Sequence, residues 1–517
     1  MDPPRLSSLF PTTPICKETL VLPPEPTRPD PDRARWRSLY VLCTGMLMIV
    51  LDVTVVNVAL PRIQDDLGFS TSNLAWVVNA YLIAFGGLLL LAGRLGDLVG
   101  RRRIFLIGIA VFTVASLVCG VAQSQAVLVA ARFVQGIGGA MTSAVILGMI
   151  VTMFPAPRDQ AKAIGVFAFV ASGGGSVGLL AGGVLTQSIN WHWIFFINIP
   201  IGIATAVLAR RWVQRDEGLG LDAGTDVPGA ALITSGLMLG VYTIVKPAAE
   251  HGWGATQTLL FGAASLVILA AFVAREATAR TPLIPLAIFR SRNVSGANLI
   301  QILGVAGMFG MFFMGALYLQ RILRYDALQT GLAFLPATLA MGTLSVRYTE
   351  RLVTRFGART LQFPGLAIMA LGLLLFTQAP VSGGYLLHVL PSMILLGTGA
   401  GMSFPALMTI AMSGVAPTEA GLASGIVNTA AQIGGALGLA VLATLSTTRS
   451  ADLVKSGTPT PEALTSGYHL AFWIAAGLVV AAIGVAAAVV KPVDMPAHHG
   501  ATDADLTGAE PAYAEGS

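Results

Sequence analysis

Asp52 is the residue whose chemistry most needs explaining. It lies inside SLYVLCTGMLMIVLDVTVVNVAL, the run from Ser38 to Leu60, which is long enough to cross the hydrocarbon core as one helix. A charge at that depth is costly and needs a partner or a function. The only basic residue placed deep in another apolar run is Arg132, in a run from 126 to 151. Low polarity favours the proton-bound acid and a neighbouring guanidinium favours the carboxylate, so such a pair can act as a proton switch. It can equally be a static buried ion pair that fixes helix packing.

The elements that must position this pair are membrane-length helices. Of 517 residues, 55% are hydrophobic and 11% charged, with a mean hydropathy of +0.75, which excludes an ordinary soluble domain. Apolar runs predict fourteen spans, at 38–60, 73–92, 103–122, 126–151, 161–185, 193–211, 227–246, 257–275, 293–317, 328–346, 360–378, 385–409, 421–446 and 470–490. An even number puts both termini on one side. With that side cytoplasmic, 24 of the 31 Lys and Arg residues lie inside, 6 outside, and Arg132 within the membrane. The net charge of +5 is therefore topological and implies no nucleic-acid partner. Residues 1–37, Pro-rich and polar, and 491–517 read as disordered cytoplasmic tails.

Offsetting the chain against itself reveals a repeat. Gly165, Gly174 and Gly178 match Gly425, Gly434 and Gly438 at a shift of 260, and Arg94–Arg102 matches Arg351–Arg359 at a shift of 257. Two six-helix bundles, 38–212 and 293–490, then flank a linker (213–292) that holds an inserted helix pair. Under the 257 shift Asp52 corresponds to Phe309, so the second half supplies no equivalent acid.

Several motifs stand on this frame. The loop from Gly93 to Arg103, GRLGDLVGRRR, combines turn-permitting glycines with Asp97, which can cap a helix or pair with an Arg, and with an Arg cluster suited to an anionic leaflet. Its bland reading is a basic loop. In the fifth span Gly174, Gly178 and Gly182 recur every four residues along one face, where a second helix can approach backbone to backbone. Simple small-residue packing would also produce glycines there. Asn57, Asn79, Gln135, Asn198, Asn298, Gln301, Asn428 and Gln432 lie within spans, mostly as interhelical hydrogen-bond partners, with some expected to face a cavity. His388 and His469 read as structural. Cys16, Cys43 and Cys119 lack metal-ligand spacing, no GxxxxGK[ST] loop is present, and no HExxH, paired CxxC or nucleophile elbow points to an enzyme, a metal or a cofactor.

The Gly93–Arg103 loop resembles the signature loop of the major facilitator superfamily. That resemblance implies a conformational latch between bundles formed by Gly93, Asp97, Gly100, Arg101 and Arg102; the second copy departs from it, with Thr354 in place of Asp97. Gly165, Gly174, Gly178, Gly182 and Gly183 resemble the antiporter motif of drug:proton exchangers in that superfamily, except that Leu179 stands where the motif has Pro. LDVTVVNVALP, from Leu51 to Pro61, is similar to the first-helix motif of the fourteen-span drug:proton antiporters, and RFVQGIGGA, from Arg132, to the superfamily motif associated with proton transfer. Trp76, Tyr81, the segment Trp191–Gly202 and the segment Gly421–Asn428 add further matches.

The resemblance implies an all-α major facilitator fold and a monomeric, multi-pass plasma-membrane exporter of amphipathic small molecules by alternating access. It places proton coupling at Asp52 and Arg132 and a substrate cavity near Asn57, Trp76, Tyr81 and Gln135. A dedicated exporter of one self-made antibiotic or other metabolite is the nearer alternative, and a non-transporting sensor or scaffold the more distant one.

Overall fold

The computed structural model describes residues 31–155, 157–218, 220, 226–413 and 420–492, and among them every regular element is a helix. The first bundle comprises α1 (Pro31–Leu67), α2 (Thr71–Leu74), α3 (Trp76–Val99), α4 (Arg101–Gly120), α5 (Gln125–Met153), α6 (Pro157–Ser188), α7 (Trp193–Phe196) and α8 (Asn198–Trp212). The inserted segment forms α9 (Val227–Val245), α10 (Pro247–His251) and α11 (Thr256–Thr278). The second bundle comprises α12 (Arg292–Leu317), α13 (Ala327–Thr343), α14 (Thr349–Phe356), α15 (Ala358–Phe376), α16 (Leu390–Met412), α17 (Ala420–Lys455) and α18 (Thr460–Ala488). Helix α1 begins at Pro31, within the stretch expected to be a tail; most of that stretch, and nearly all of 491–517, lie outside the described residues.

Twelve helices are long and apolar enough to cross a bilayer among the described residues, which makes this a multi-pass membrane protein. The other two expected spans fall on α6, which is described only in part, and on α13, whose 17 residues end at a π-helical turn, Leu344–Tyr348. Length and hydropathy alone therefore do not establish a count of fourteen.

Two sets of contacts define the ends of the molecule. At the basic end, Ser38 Oγ donates to the Trp212 carbonyl and Arg292 to that of Ala488. At the opposite end, Gln125 Nε2 reaches the Leu67 carbonyl and Trp191 Nε1 donates to Asp66. Successive spans thus run antiparallel, as short loops require.

The bundles meet along two seams, α6 with α13 and α3 with α17. The repeat shift converts one seam into the other, because it maps α3 onto α13 and α6 onto α17. The inserted pair is not peripheral to this arrangement. Helix α9 packs on both α3 and α17, with Thr234 against Gly87 and Thr444 donating to the Ile244 carbonyl. Helix α11 is mostly turned away from the bundles. The pair therefore braces one seam and leaves the other open.

Candidate functional site: a sealed carboxylate in the first bundle

Five helices of the first bundle converge on Asp52, which is only 1% exposed. Helix α5 supplies Arg132 and Gln135, three residues apart and so on one face. Arg132 Nη1 lies 2.5 Å from Asp52 Oδ2 and also donates to Gln135 Oε1 at 2.7 Å, while its Nε donates to the Val77 carbonyl of α3 at 2.9 Å. The other carboxylate oxygen, Oδ1, accepts from Gln135 Nε2 at 2.7 Å and from Asn198 Nδ2 of α8 at 3.1 Å. Helix α4 closes the cluster: Gln135 Nε2 also reaches Ser116 Oγ at 2.8 Å, and Cys119 Sγ lies 3.7 Å from Gln135 Oε1.

The guanidinium is further held by aromatic faces, with its carbon 4.5 Å from the Tyr81 ring centroid and 5.8 Å from that of Phe195. The space for that stack exists because residue 139 is glycine; a side chain there would begin 2.8 Å from the Tyr81 hydroxyl. That hydroxyl and both polar atoms of Asn79 are buried without a partner. The acid is therefore saturated with donors on both oxygens, and the pair is satisfied within one bundle.

Asp52 and Arg132 are brought together as the sequence indicates. Tyr81 and Gln135 belong to their immediate surroundings, both at 1% exposure or less, rather than to an open surface. Asn57 sits farther along α1 with Nδ2 on the Val53 carbonyl, and Trp76, half-buried, opens α3 beside Val77. Asn198 and Ser116 are contacts that polarity alone could not single out from the other polar residues within spans.

The glycine motif divides its work. Gly174 faces Leu47 and Val50, Gly178 abuts Thr54, and a Cβ on Gly182 would stand 2.9 Å from the Val55 carbonyl, so this face packs on α1 inside the same bundle. Only Gly183 reaches across, to the backbone of Ala327 and Leu328 in α13, where Gly331 in turn approaches the Leu179 carbonyl. Gly165 has nothing within 4 Å. The motif thus ties the Asp52 helix to α6, and α6 to the other bundle.

The Gly93–Arg103 loop makes contacts with the first bundle and with the segment that follows α8. Arg101 pairs with Asp97 at 3.0 Å and donates to the Gly148 carbonyl of α5. The segment following α8 straps across the loop: Asp216 accepts from the backbone N–H groups of Arg101 and Arg102 at 2.5 and 3.0 Å, capping α4. Gly100, at φ +108, lies 3.0 Å from the Asp216 carbonyl oxygen when given a Cβ, and Gly93 faces Ala144. Arg102 reaches the Arg210 carbonyl. In this structure these residues tie α3, α4 and α5 to the segment that follows α8. In the second copy Thr354 donates to the Arg351 carbonyl of its own turn.

At the end opposite the basic loops, α1 adds a polar contact between halves. Pro61 cannot donate into the helix ladder. Close to this break Gln320 Nε2 donates to the Val58 carbonyl at 2.8 Å, and Arg321 reaches the Pro61 carbonyl, Gln64 Oε1 and the Asp65 carboxylate. A cleft of about 580 Å³ lies beside this bridge, lined by Asp65, Phe69, Arg321, Arg324 and Tyr468 among others.

The profile of the Major Facilitator Superfamily matches residues 42–439. The chain belongs to this superfamily. It is 41% identical over 457 residues to the puromycin resistance protein pur8 of Streptomyces alboniger, covering 87% of this chain and 90% of the relative. It is 39% identical over 460 residues to the cephamycin export protein CmcT of Amycolatopsis lactamdurans, covering 88% and 92%. Its fold matches the crystal structure of a bacterial homologue of the human lysosomal transporter Spinster, inward-facing and unoccupied, with a TM-score of 0.63 at 16% identity over 88% of this chain and 96% of that one. This is a family of membrane transporters, typically without enzymatic activity.

Proposed function

We propose that this major facilitator is a proton-coupled exporter of antibiotics or other amphipathic small molecules, working by alternating access as a fourteen-span monomer in the plasma membrane, with both termini cytoplasmic. The observation that carries the coupling is the Asp52 cluster. One acid, sealed from solvent and held by Arg132, Gln135 and Asn198, sits on the same helix that bears a polar contact between halves at Val58, Pro61 and Asp65. Export as the direction of transport rests on relatives that are named for antibiotic resistance and antibiotic export.

The mechanism follows from what a proton does at this place. Protonating Asp52 cancels its charge, releases Arg132 from its main partner and leaves two amide donors competing for a neutral acid. The α1–α5–α8 packing relaxes, and α1 transmits the change along its length to Gln320 and Arg321 and, through the glycine face, to α6 and α13. With the basic end cytoplasmic, the Arg321 bridge closes the outer side. Substrate then enters from within while Asp52 is ionised, and proton entry from outside favours the outward-open form and release. One pH unit contributes about 1.4 kcal/mol and 100 mV about 2.3 kcal/mol per charge, enough for a gradient of a few hundred-fold per proton.

Export of one self-made antibiotic is the second reading, favoured by the likeness to the cephamycin export protein. The test is efflux of puromycin and of a dye panel from cells expressing the chain, with and without a protonophore. Efflux of several compounds that stops with protonophore supports the main reading, and efflux of one compound the second. Undiminished efflux with protonophore sinks proton coupling.

A further inference from the structure

Asp52 is not the only buried acid. Asp226, at the start of α9, is 1% exposed, and Glu276, in the last turn of α11, is 3% exposed. Both sit at the basic end, where charges are ordinary in sequence but not when sealed. Asp226 Oδ1 accepts from the Gly229 N–H at 3.0 Å, and Arg275 Nε lies 3.1 and 3.4 Å from the two Asp226 oxygens. Glu276 Oε2 accepts from the Ile284 N–H at 2.8 Å, which fastens α11 to the segment leading into the second bundle. Glu276 Oε1 is buried with no partner.

The position of that oxygen is informative. A Cβ on Gly229 would stand 2.6 Å from Asp226 Oδ2 and 2.7 Å from Glu276 Oε1, so both carboxyls border the same space beside this glycine. Among the described residues Asp226 and Arg275 are the charged side chains acting on Glu276, whose carboxyl is also held by the Ile284 and Leu283 backbone N–H groups, and Arg275 already faces Asp226. Two ionised acids would leave one negative charge uncompensated and one acceptor unsatisfied in a sealed place. A proton on Oε1 removes the charge and turns the orphan acceptor into a donor in the neighbourhood of the Asp226 carboxylate.

We propose that Glu276 binds a proton and, through Oε1–H, donates it to Asp226, so that the inserted helices carry a second proton site, separate from Asp52. The pair joins α9, α11 and the 283–284 segment, so losing the proton would loosen the inserted pair from the approach to the second bundle. This inference does not depend on the transport reading.

Infrared spectra of the full-length protein in nanodiscs, recorded slightly above neutral pH, test it. Exposed carboxyls are then ionised, and a protonated-carboxyl carbonyl stretch reports sealed acids. The expected band is lost in Glu276→Gln, is retained in Asp52→Asn, and moves in Asp226→Asn, which changes its hydrogen-bond acceptor. Gln can donate to Asp226 as the acid does, so Glu276→Gln should fold. If it does not, the shift in Asp226→Asn decides the matter. Absence of the band in the native protein, or a band unchanged by Glu276→Gln and Asp226→Asn, overturns the proposal.

Discussion

Asp52→Asn should destabilise this protein as well as uncouple it, and the two effects can be separated. The substitution keeps the shape but replaces one acceptor oxygen with a donor amide. Arg132 is held from turning away, because Nε is fixed on the Val77 carbonyl and its guanidinium carbon lies 4.5 Å over the Tyr81 ring. The new carbonyl oxygen must therefore face Arg132, and the new amide then meets the donors of Gln135 and Asn198. Flipping Gln135 to accept would withdraw its oxygen from Arg132 Nη1. The guanidinium is left as a buried cation without a counter-charge, a change worth about 3–5 kcal/mol when one partner of a sealed pair is removed. Replacing both partners with neutral groups avoids that penalty, so Asp52→Asn combined with Arg132→Met should recover most of the lost stability. Melting curves of the purified single and double variants, alongside protonophore-sensitive efflux, form the assay. Stability should fall in Asp52→Asn and return in the double variant, while gradient-driven efflux stays lost in both. A single variant that melts like the native protein refutes the argument that the acid neutralises Arg132. Gradient-driven efflux in the stable double variant refutes its role in coupling.

The glycine motif allows an internal comparison. Gly182→Ala forces a methyl group against the Val55 backbone and should cost about 1–3 kcal/mol in melting measurements, whereas Gly165→Ala, with open space around it, should be neutral or gain about 0.5–1 kcal/mol. Equal effects at both positions would mean that α6 does not pack on α1 as described. Asp216→Ala removes the cap of α4 and should cost about 0.5–2 kcal/mol, with hydrogen exchange rising first at Arg101 and Arg102; unchanged exchange there would show that the linker strap does not hold the loop.

Different parts of this protein were legible to different depths. Asp52 and Arg132 stand out in the chain because a charge inside an apolar run is rare, and rarity is a signal that one sequence carries. Asn198 and Ser116 are no more conspicuous than the other polar residues within the spans, so only the crossing of α8 and α4 near α1 selects them. The four-residue spacing of Gly174, Gly178 and Gly182 defines a face but not its partner; packing assigns that face to α1 and gives the contact between bundles to Gly183. Asp97 is legible as part of a charged loop, yet its partner in this conformation is Arg101 four residues away, and the strap through Asp216 comes from more than a hundred residues downstream. Asp226 and Glu276 sit at span ends, where acids usually meet water, and nothing in their spacing shows that they are sealed.

By itself, the sequence determined the membrane class, the repeated halves and the one acid and one base in apolar runs, because hydropathy and charge act residue by residue along a helix. Which donors surround the acid, which helix fills the glycine groove, how α9 braces one seam and which carboxyls face each other were decided by tertiary structure. Those properties depend on which helix faces meet, and helix faces far apart in the chain are matched only when the bundle closes.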